Sequence, residues 1–193
     1  MITYKFVGRD YFPVYDAVPS QVNVTRCLMV EKQDRGLGGF ALAEKAVDPY
    51  VKDFRIVDHE TVARWDAQYD ISNWVFMMAF DGERPAGGAA LAVRTEGVDM
   101  LGGRDDLAVL WDIRVDEGYK RQGIGQGLFD MAAGWARGNG FAQMKIECQN
   151  NNVPACRFYH KQGAVLVAID EHAYYNEPEC RHEVQLIWVL DLT

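Results

Sequence analysis

DEGYKRQGIGQGLFDMAAGWARGNG, Asp116 to Gly140, sets two basic residues against a glycine pair and runs at once into an apolar pattern of helical period. Leu128, Met131, Ala132 and Trp135 recur at three- and four-residue steps, which predicts a helix from about Ile124 to Arg137, ended by Gly138 and Gly140. A glycine-rich turn at the mouth of a helix points backbone N–H groups outward, and the helix dipole adds partial positive charge there. Such a turn suits a phosphate. Its spacing excludes two kinds of phosphate binder: no Gly-Lys-Ser/Thr ending follows, and a dinucleotide fingerprint begun at Gly123 requires glycine at 128, where Leu128 stands. Read by itself, the glycine pair favours a plain strand-to-helix turn.

Working outward, LAVLWDIRV (Leu107 to Val115) reads as a strand, with Trp111, Ile113 and Val115 on one face and Leu110, Asp112 and Arg114 on the other. Downstream, Ala142 to Gln149 reads as a strand. Asn152 caps a following helix that carries Pro154 in its first turn and ends at Gly163. Two C-terminal strands, Ala164 to Asp170 and Val184 to Leu192, are joined by EHAYYNEPECRHE. Upstream, ITYKFV reads as a strand, and Gly39 to Val47 and Asp58 to Asp70 read as helices. Trp74 to Phe80 is a strand that turns at Asp81-Gly82 into Ala86 to Arg94. Glycines at 36–39, 87–88 and 102–103 mark loops. No repeat or linker divides the chain, so residues 1–193 read as one mixed α/β domain.

Composition narrows the function. A formal net charge of -8 argues against a surface built to neutralise nucleic-acid phosphates; it suits a cationic substrate or serves solubility alone. The longest apolar run, WVFMMAF at Trp74 to Phe80, is far short of a membrane span, and the N-terminus lacks the pattern of an export signal. A cytoplasmic location, with no membrane partner, is the expectation. Cys27, Cys148, Cys156 and Cys180 show no metal-ligand spacing and are expected as free thiols. His59, His160, His172 and His182 are scattered in the manner of surface histidines, and no metal is expected.

Lys120, Gly123 and Gly125, behind the strand ending at Val115, together resemble the R/Q-x-x-G-x-G/A pyrophosphate loop of the GNAT superfamily of N-acetyltransferases, with Lys120 in place of Arg or Gln. NVPACRFYHKQGA, Asn152 to Ala164, resembles that family's N-x-x-A-x-x-F-Y-x-K-x-G-F segment, with Ala164 in place of Phe. From Leu107 to Leu192 the chain is further similar to streptothricin acetyltransferases, which acetylate an amine of a cationic antibiotic. The resemblance implies the GNAT fold: a mixed central sheet splayed between its fourth and fifth strands and flanked by helices. It also implies acetyl-CoA as co-substrate, a small cationic amine as acceptor, and leaves a homodimer open.

Carried over residue by residue, the resemblance assigns acetyl-CoA contacts to Ile113, Arg114 and Val115 by main chain. It adds Lys120, Arg121, Gln122, Gly123, Ile124, Gly125 and Gln126 at the pyrophosphate, and Asn152, Ala155 and Tyr159 on the later helix. Tyr159 becomes the general acid for the leaving thiolate, since a phenol with an ordinary pKa near ~10 is protonated at neutral pH. Asp112 and Glu147, on the two splayed strands, are candidates to orient the amine or take its proton. Asp112 could instead pair with Arg114, and Glu147 could face solvent. Tyr174, Tyr175, Asn176 and Glu183 form a polar, aromatic cluster that suits a cation and reads as an acceptor wall. Acetylation of a protein N-terminus or lysine, and a non-catalytic acyl-CoA-binding module, are the competing functions.

Overall fold

The computed structural model describes residues 1–57 and 60–193; the expected start of a helix at Asp58 and the reading of His59 lie outside the described residues. The strands are β1 Ile2–Val7, β2 Gln21–Lys32, β3 Phe40–Asp53, β4 Val75–Asp81, β5 Arg84–Val93, β6 Leu107–Val115, β7 Gln143–Gln149, β8 Val165–Asp170 and β9 Gln185–Asp191. The helices are α1 Phe12–Ala17, α2 Phe54–Val57, α3 Val62–Gln68, α4 Ile124–Gly138 and α5 Val153–Lys161. Hydrogen bonding orders seven strands as β1-β4-β5-β6-β7-β9-β8, and β2 pairs with β3 in a second sheet. The pairs β1–β4, β4–β5 and β5–β6 are antiparallel, whereas β6–β7 is parallel. The parallel ladder runs only from Leu107↔Gln143 to Leu110↔Ile146, although β6 continues to Val115 and β7 to Gln149. These two are the fourth and fifth strands in spatial order, where the sequence reading expects the splay.

The chain forms two compact units interleaved in sequence. The first comprises Met1–Gln21, Asp53–Ile146 and Val189–Thr193; the second comprises Val22–Lys52 and Glu147–Trp188.

In the first unit an aromatic core of Tyr15, Trp65, Trp74 and Phe76 packs with Met78, Ala90 and Val109, and Trp111 lies against it. Full burial of one such large side chain stabilises by roughly 1.5–3 kcal/mol. The core dictates two departures from the sequence reading. Gly87 and Gly88 lie inside β5 rather than in a loop, and a Cβ on Gly88 would stand 2.6 Å from the Tyr15 ring. Glycine there is a packing requirement of the neighbouring tyrosine. On β6 the expected alternation also fails, since the register steps from Ala90↔Asp112 to Leu91↔Leu110 and leaves Trp111 as an extra, bulged residue. A bulge bends a strand and re-aims its side chains. Trp111 accordingly packs against Trp65 and Trp74, and Asp112 and Arg114 both reach Tyr15.

Two helix expectations need correction. Of the stretch read as helix from Gly39 to Val47, residues 40–47 are strand, the first part of β3, despite their run of helix-forming Ala, Leu, Glu and Lys. Pairing with β2, a strand the sequence reading passed over although Val22 and Val24 alternate in it, overrides that local preference. From residue 60 to Asp70 the expected helix is limited to α3, whose N-cap Thr61 accepts a 3.3 Å bond from Arg64 N.

In the second unit three consecutive asparagines each hold a different neighbour. Asn150 brackets two segments: its Nδ2 donates to Leu28 O at 3.0 Å, and its Oδ1 accepts from Val184 N at 2.9 Å. Asn151 Nδ2 donates to Tyr50 Oη at 2.9 Å and Glu183 Oε1 at 2.8 Å. Asn152 caps α5 as predicted, accepting from Ala155 N at 3.3 Å.

Candidate active site

The turn before α4 is fixed at its start by Asp116. Asp116 Oδ1 takes the Gly118 amide at 2.9 Å, and Tyr119 N returns to Asp116 O at 2.8 Å, which tightens the exit from β6. Arg121 (φ 62°) and Gly123 (φ 85°) then adopt left-handed backbone conformations on either side of Gln122. A non-glycine residue in that region is strained, so Arg121 is held there by its surroundings. Gly123 is the N-cap of the fifteen-residue α4 and supplies no side-chain cap. A Cβ on Gly123 would meet nothing within 4 Å, so the space outside the turn is open. Lys120 Nζ is 2.6 Å from Glu117 Oε2 and donates to Gln21 O at 2.9 Å; its charge braces the turn.

On β6, Asp112 is bound through a single oxygen. Its Oδ2 accepts from Tyr15 Oη at 2.5 Å and from Arg114 Nε at 2.7 Å. Arg114 is buried, its side chain 1% exposed, and its guanidinium lies 5.0 Å from the Tyr15 ring centroid and 5.8 Å from that of Trp65. Burial works against the Arg114 charge, but the negative charge of Asp112 overcomes it and raises the guanidinium pKa above its ordinary value. Burial raises the Tyr15 phenol well above its usual range, with the Asp112 charge adding to the effect and Arg114 opposing it. The alternative weighed for Asp112, a pair with Arg114, is therefore what the fold contains. The backbone of Ile113, Arg114 and Val115 is paired with Ala89, Gly88 and Gly87 of β5 and lies beyond the end of the parallel ladder.

The second unit holds the other candidates. Tyr159 on α5 is buried, 5% exposed, with its ring edge-on to Phe158 at 5.6 Å. Glu147 on β7 accepts a short hydrogen bond from Tyr174 Oη, so the fold brings together two residues that the sequence listed separately. Burial, then the Glu147 charge and hydrogen bond, then the charge of Glu183 raise the Tyr174 phenol. Tyr175 is 71% exposed, and Asn176 is exposed beside it. Glu183 does not belong to an open wall. It is 4% exposed, with Oε2 2.6 Å from Lys52 Nζ and Oε1 taken by Asn151.

Sequence reasoning missed Tyr15, Lys52, Asn150 and Asn151. No local pattern announces Tyr15 or Lys52, whose partners lie 97 and 131 residues away. The run QNNN did offer a signal, since three adjacent amides in a strand-to-helix connection suit side-chain-to-backbone bonding.

The pattern of the Acetyltransferase (GNAT) family matches residues 30–164, and the chain belongs to that family. It is 28% identical over 151 residues to the streptothricin acetyltransferase of Escherichia coli, covering 78% of this chain and 75% of that one. Over 81 residues it is 35% identical to streptothricin acetyltransferase A of Bacillus subtilis (strain 168), covering 42% and 46%. Among solved structures, nourseothricin acetyltransferase matches with a TM-score of 0.76 at 21% identity, over 100% of this chain and 99% of that one. A chain from Bacillus anthracis str. Ames, solved in complex with acetyl coenzyme A, gives 0.76 at 23% identity over 99% of each. The last two establish shared fold. Membership of the family makes the chain an N-acetyltransferase with acetyl-CoA as donor, and the uncapped, open turn before α4 fits the pyrophosphate of that donor. No helix among the described residues is long and apolar enough to cross a membrane.

Proposed function

We propose that the chain transfers an acetyl group from acetyl-CoA to an amine of a small cationic acceptor, with streptothricin-type antibiotics as the class to test first. The observation that carries this reading is the Tyr174–Glu147 pair beside the exposed Tyr175. A carboxylate and aromatic rings are the groups a cation seeks. The names of the relatives point to the same class of acceptor.

Acetyl-CoA supplies the activated acetyl thioester. In this reading the turn from Lys120 to Gln126 receives the pyrophosphate on backbone amides, with Arg121 contributing charge. Lys120 acts mainly by bracing the turn. The free edge of Ile113, Arg114 and Val115 holds the pantetheine arm, and the Val115 amide polarises the acetyl carbonyl. Asn152 and Ala155 set the start of α5, and Tyr159 Oη gives its proton to the departing sulfur. Because Asp112 Oδ2 already has two donors, the proton of the attacking amine is assigned to Glu147, directly or through water. Asp112 then acts by fixing the strand beside Ile113. Tyr174, Tyr175 and Asn176 face the acceptor, whereas Glu183, paired with Lys52, is left out of that wall.

The test is a panel of streptothricin, spermidine, aminoglycosides and short peptides, read by acetyl-CoA-dependent thiol release. Turnover of streptothricin or another small polyamine is expected. Turnover of peptides with none of the cationic small molecules would replace this reading with protein acetylation. Acetyl-CoA binding without turnover of any amine would replace it with a non-catalytic binding module.

A further inference from the structure

Residues 171–183, between β8 and β9, contain no helix or strand, yet they carry Tyr174. A segment without regular structure holds a side chain in place only if it is tied down elsewhere. Its far end is tied unusually firmly. Glu183 and Lys52 form an ion pair at 2.6 Å with side chains 4% and 2% exposed, and Asn151 donates to the second Glu183 oxygen at 2.8 Å. Asn151 also ties that carboxylate to Tyr50, so β3 contributes two of the groups around it.

From Glu183 a continuous set of backbone bonds leads back to Tyr174. Glu183 N donates to Cys180 O at 2.8 Å, Cys180 N to Glu177 O at 3.1 Å, and Glu177 N to Tyr174 O at 2.9 Å. Each turn begins where the next ends, so a shift of Glu183 is passed to Tyr174 without a flexible joint. At the near end, Lys32 of β2 pairs with Glu171, and His172 N donates to Asp170 Oδ1 at 2.8 Å. Both strands of the β2–β3 sheet thus hold the segment, one by each end.

We infer that Lys52 and Glu183, with Asn151, are positioning residues of the acetyl transfer: their buried pair, relayed through three turns, sets the Tyr174 hydroxyl on Glu147 and thereby shapes the acceptor site. This rests on the proposed acceptor role of Glu147 and Tyr174. A buried pair is a costly way to gain stability alone, since apolar residues of similar volume often serve as well, whereas it fixes geometry in a way that apolar contacts do not.

Amide hydrogen exchange of the whole chain tests this without any substrate. In Lys52→Met, the amides of Tyr175, Glu177, Cys180 and Glu183 are expected to exchange at least about tenfold faster, while those of α4 stay unchanged; Lys52→Arg is expected to restore most of the protection. Unchanged exchange across residues 172–183 in a folded Lys52→Met sample overturns the inference. With an active acceptor in hand, Lys52→Met should raise its KM about tenfold and leave acetyl-CoA affinity unaltered. In a Tyr174→Phe background the same substitution should add little, whereas full additivity would mean that Lys52 acts on stability alone. Should Lys52→Met fail to fold, Glu183→Gln removes the charge pair while keeping a hydrogen-bonding side chain and is read in the same way. If no cationic amine is turned over but exchange rises as expected, the proposed function fails and the brace stands.

Discussion

The two units each contain a carboxylate that accepts a hydrogen bond from a tyrosine, and the electrostatics around the two pairs differ. At Asp112 the phenol of Tyr15 is raised by burial and by the carboxylate, and Arg114 opposes the shift. At Glu147 the phenol of Tyr174 is raised by burial and by the carboxylate, and Glu183 pushes the same way. The first pair has its countercharge built in. At the second pair Glu183 has its own ion pair with Lys52, and Tyr175 next to Tyr174 is exposed. The proposed reading makes Asp112 a group that fixes a strand and Glu147 one that meets the acceptor amine, although both were equal candidates in the sequence.

The largest effect expected belongs to neither pair. Tyr159→Phe should lower kcat by about 10²–10⁴-fold, the usual contribution of a general acid, with acetyl-CoA affinity retained by calorimetry. Unchanged kcat would remove Tyr159 from that role.

The comparison itself is sharpened by two substitutions. Glu147→Gln should lower kcat/KM for a cationic amine by about 10²-fold or more and alter the acid limb of its pH profile, while Asp112→Asn leaves that limb in place. The reverse ranking would break the contrast. Arg114→Met leaves Asp112 without its countercharge in a buried setting and should cost about 3–5 kcal/mol in urea unfolding. Gly88→Ala, which forces a Cβ into the Tyr15 ring, should cost about 1–3 kcal/mol and show whether the Tyr15–Asp112 contact depends on that close approach.

The smallest effect is a pH dependence in the first unit. Burial tends to raise the Asp53 carboxyl, but hydrogen bonds from Gln21 and Arg55 prevail and hold it below its ordinary value. Its contribution to stability is therefore fully present above the unfolded carboxylate value near ~3.9 and is lost as pH falls through the lower folded value. Asp53→Asn should flatten the stability curve as pH falls below about 4, measured by urea unfolding.

Legibility in the sequence followed the range of the interactions. The Gly123 turn into α4 and the Asn152 cap could be read because each is decided within a few residues and each needs a particular residue type. The strands β4 to β7 were legible for the same reason, since apolar runs and the Asp81-Gly82 turn are local signals. Gly39 to Val47 was misread because its helix-forming composition is overruled by a neighbouring strand. Glu183 was placed on an open wall because a sequence does not state which glutamates are buried; only Lys52, 131 residues away, makes burial tolerable.

The sequence by itself determined the turn into α4 and the start of α5, because backbone conformation at Gly123 and the capping chemistry of Asn152 are decided over a few bonds. Tertiary structure alone decided which carboxylate is neutralised by Arg114, which receives Tyr174, and which is braced by Lys52. Those outcomes depend on burial and on charges brought together from distant parts of the chain, and the field at a carboxylate is set by distance in space.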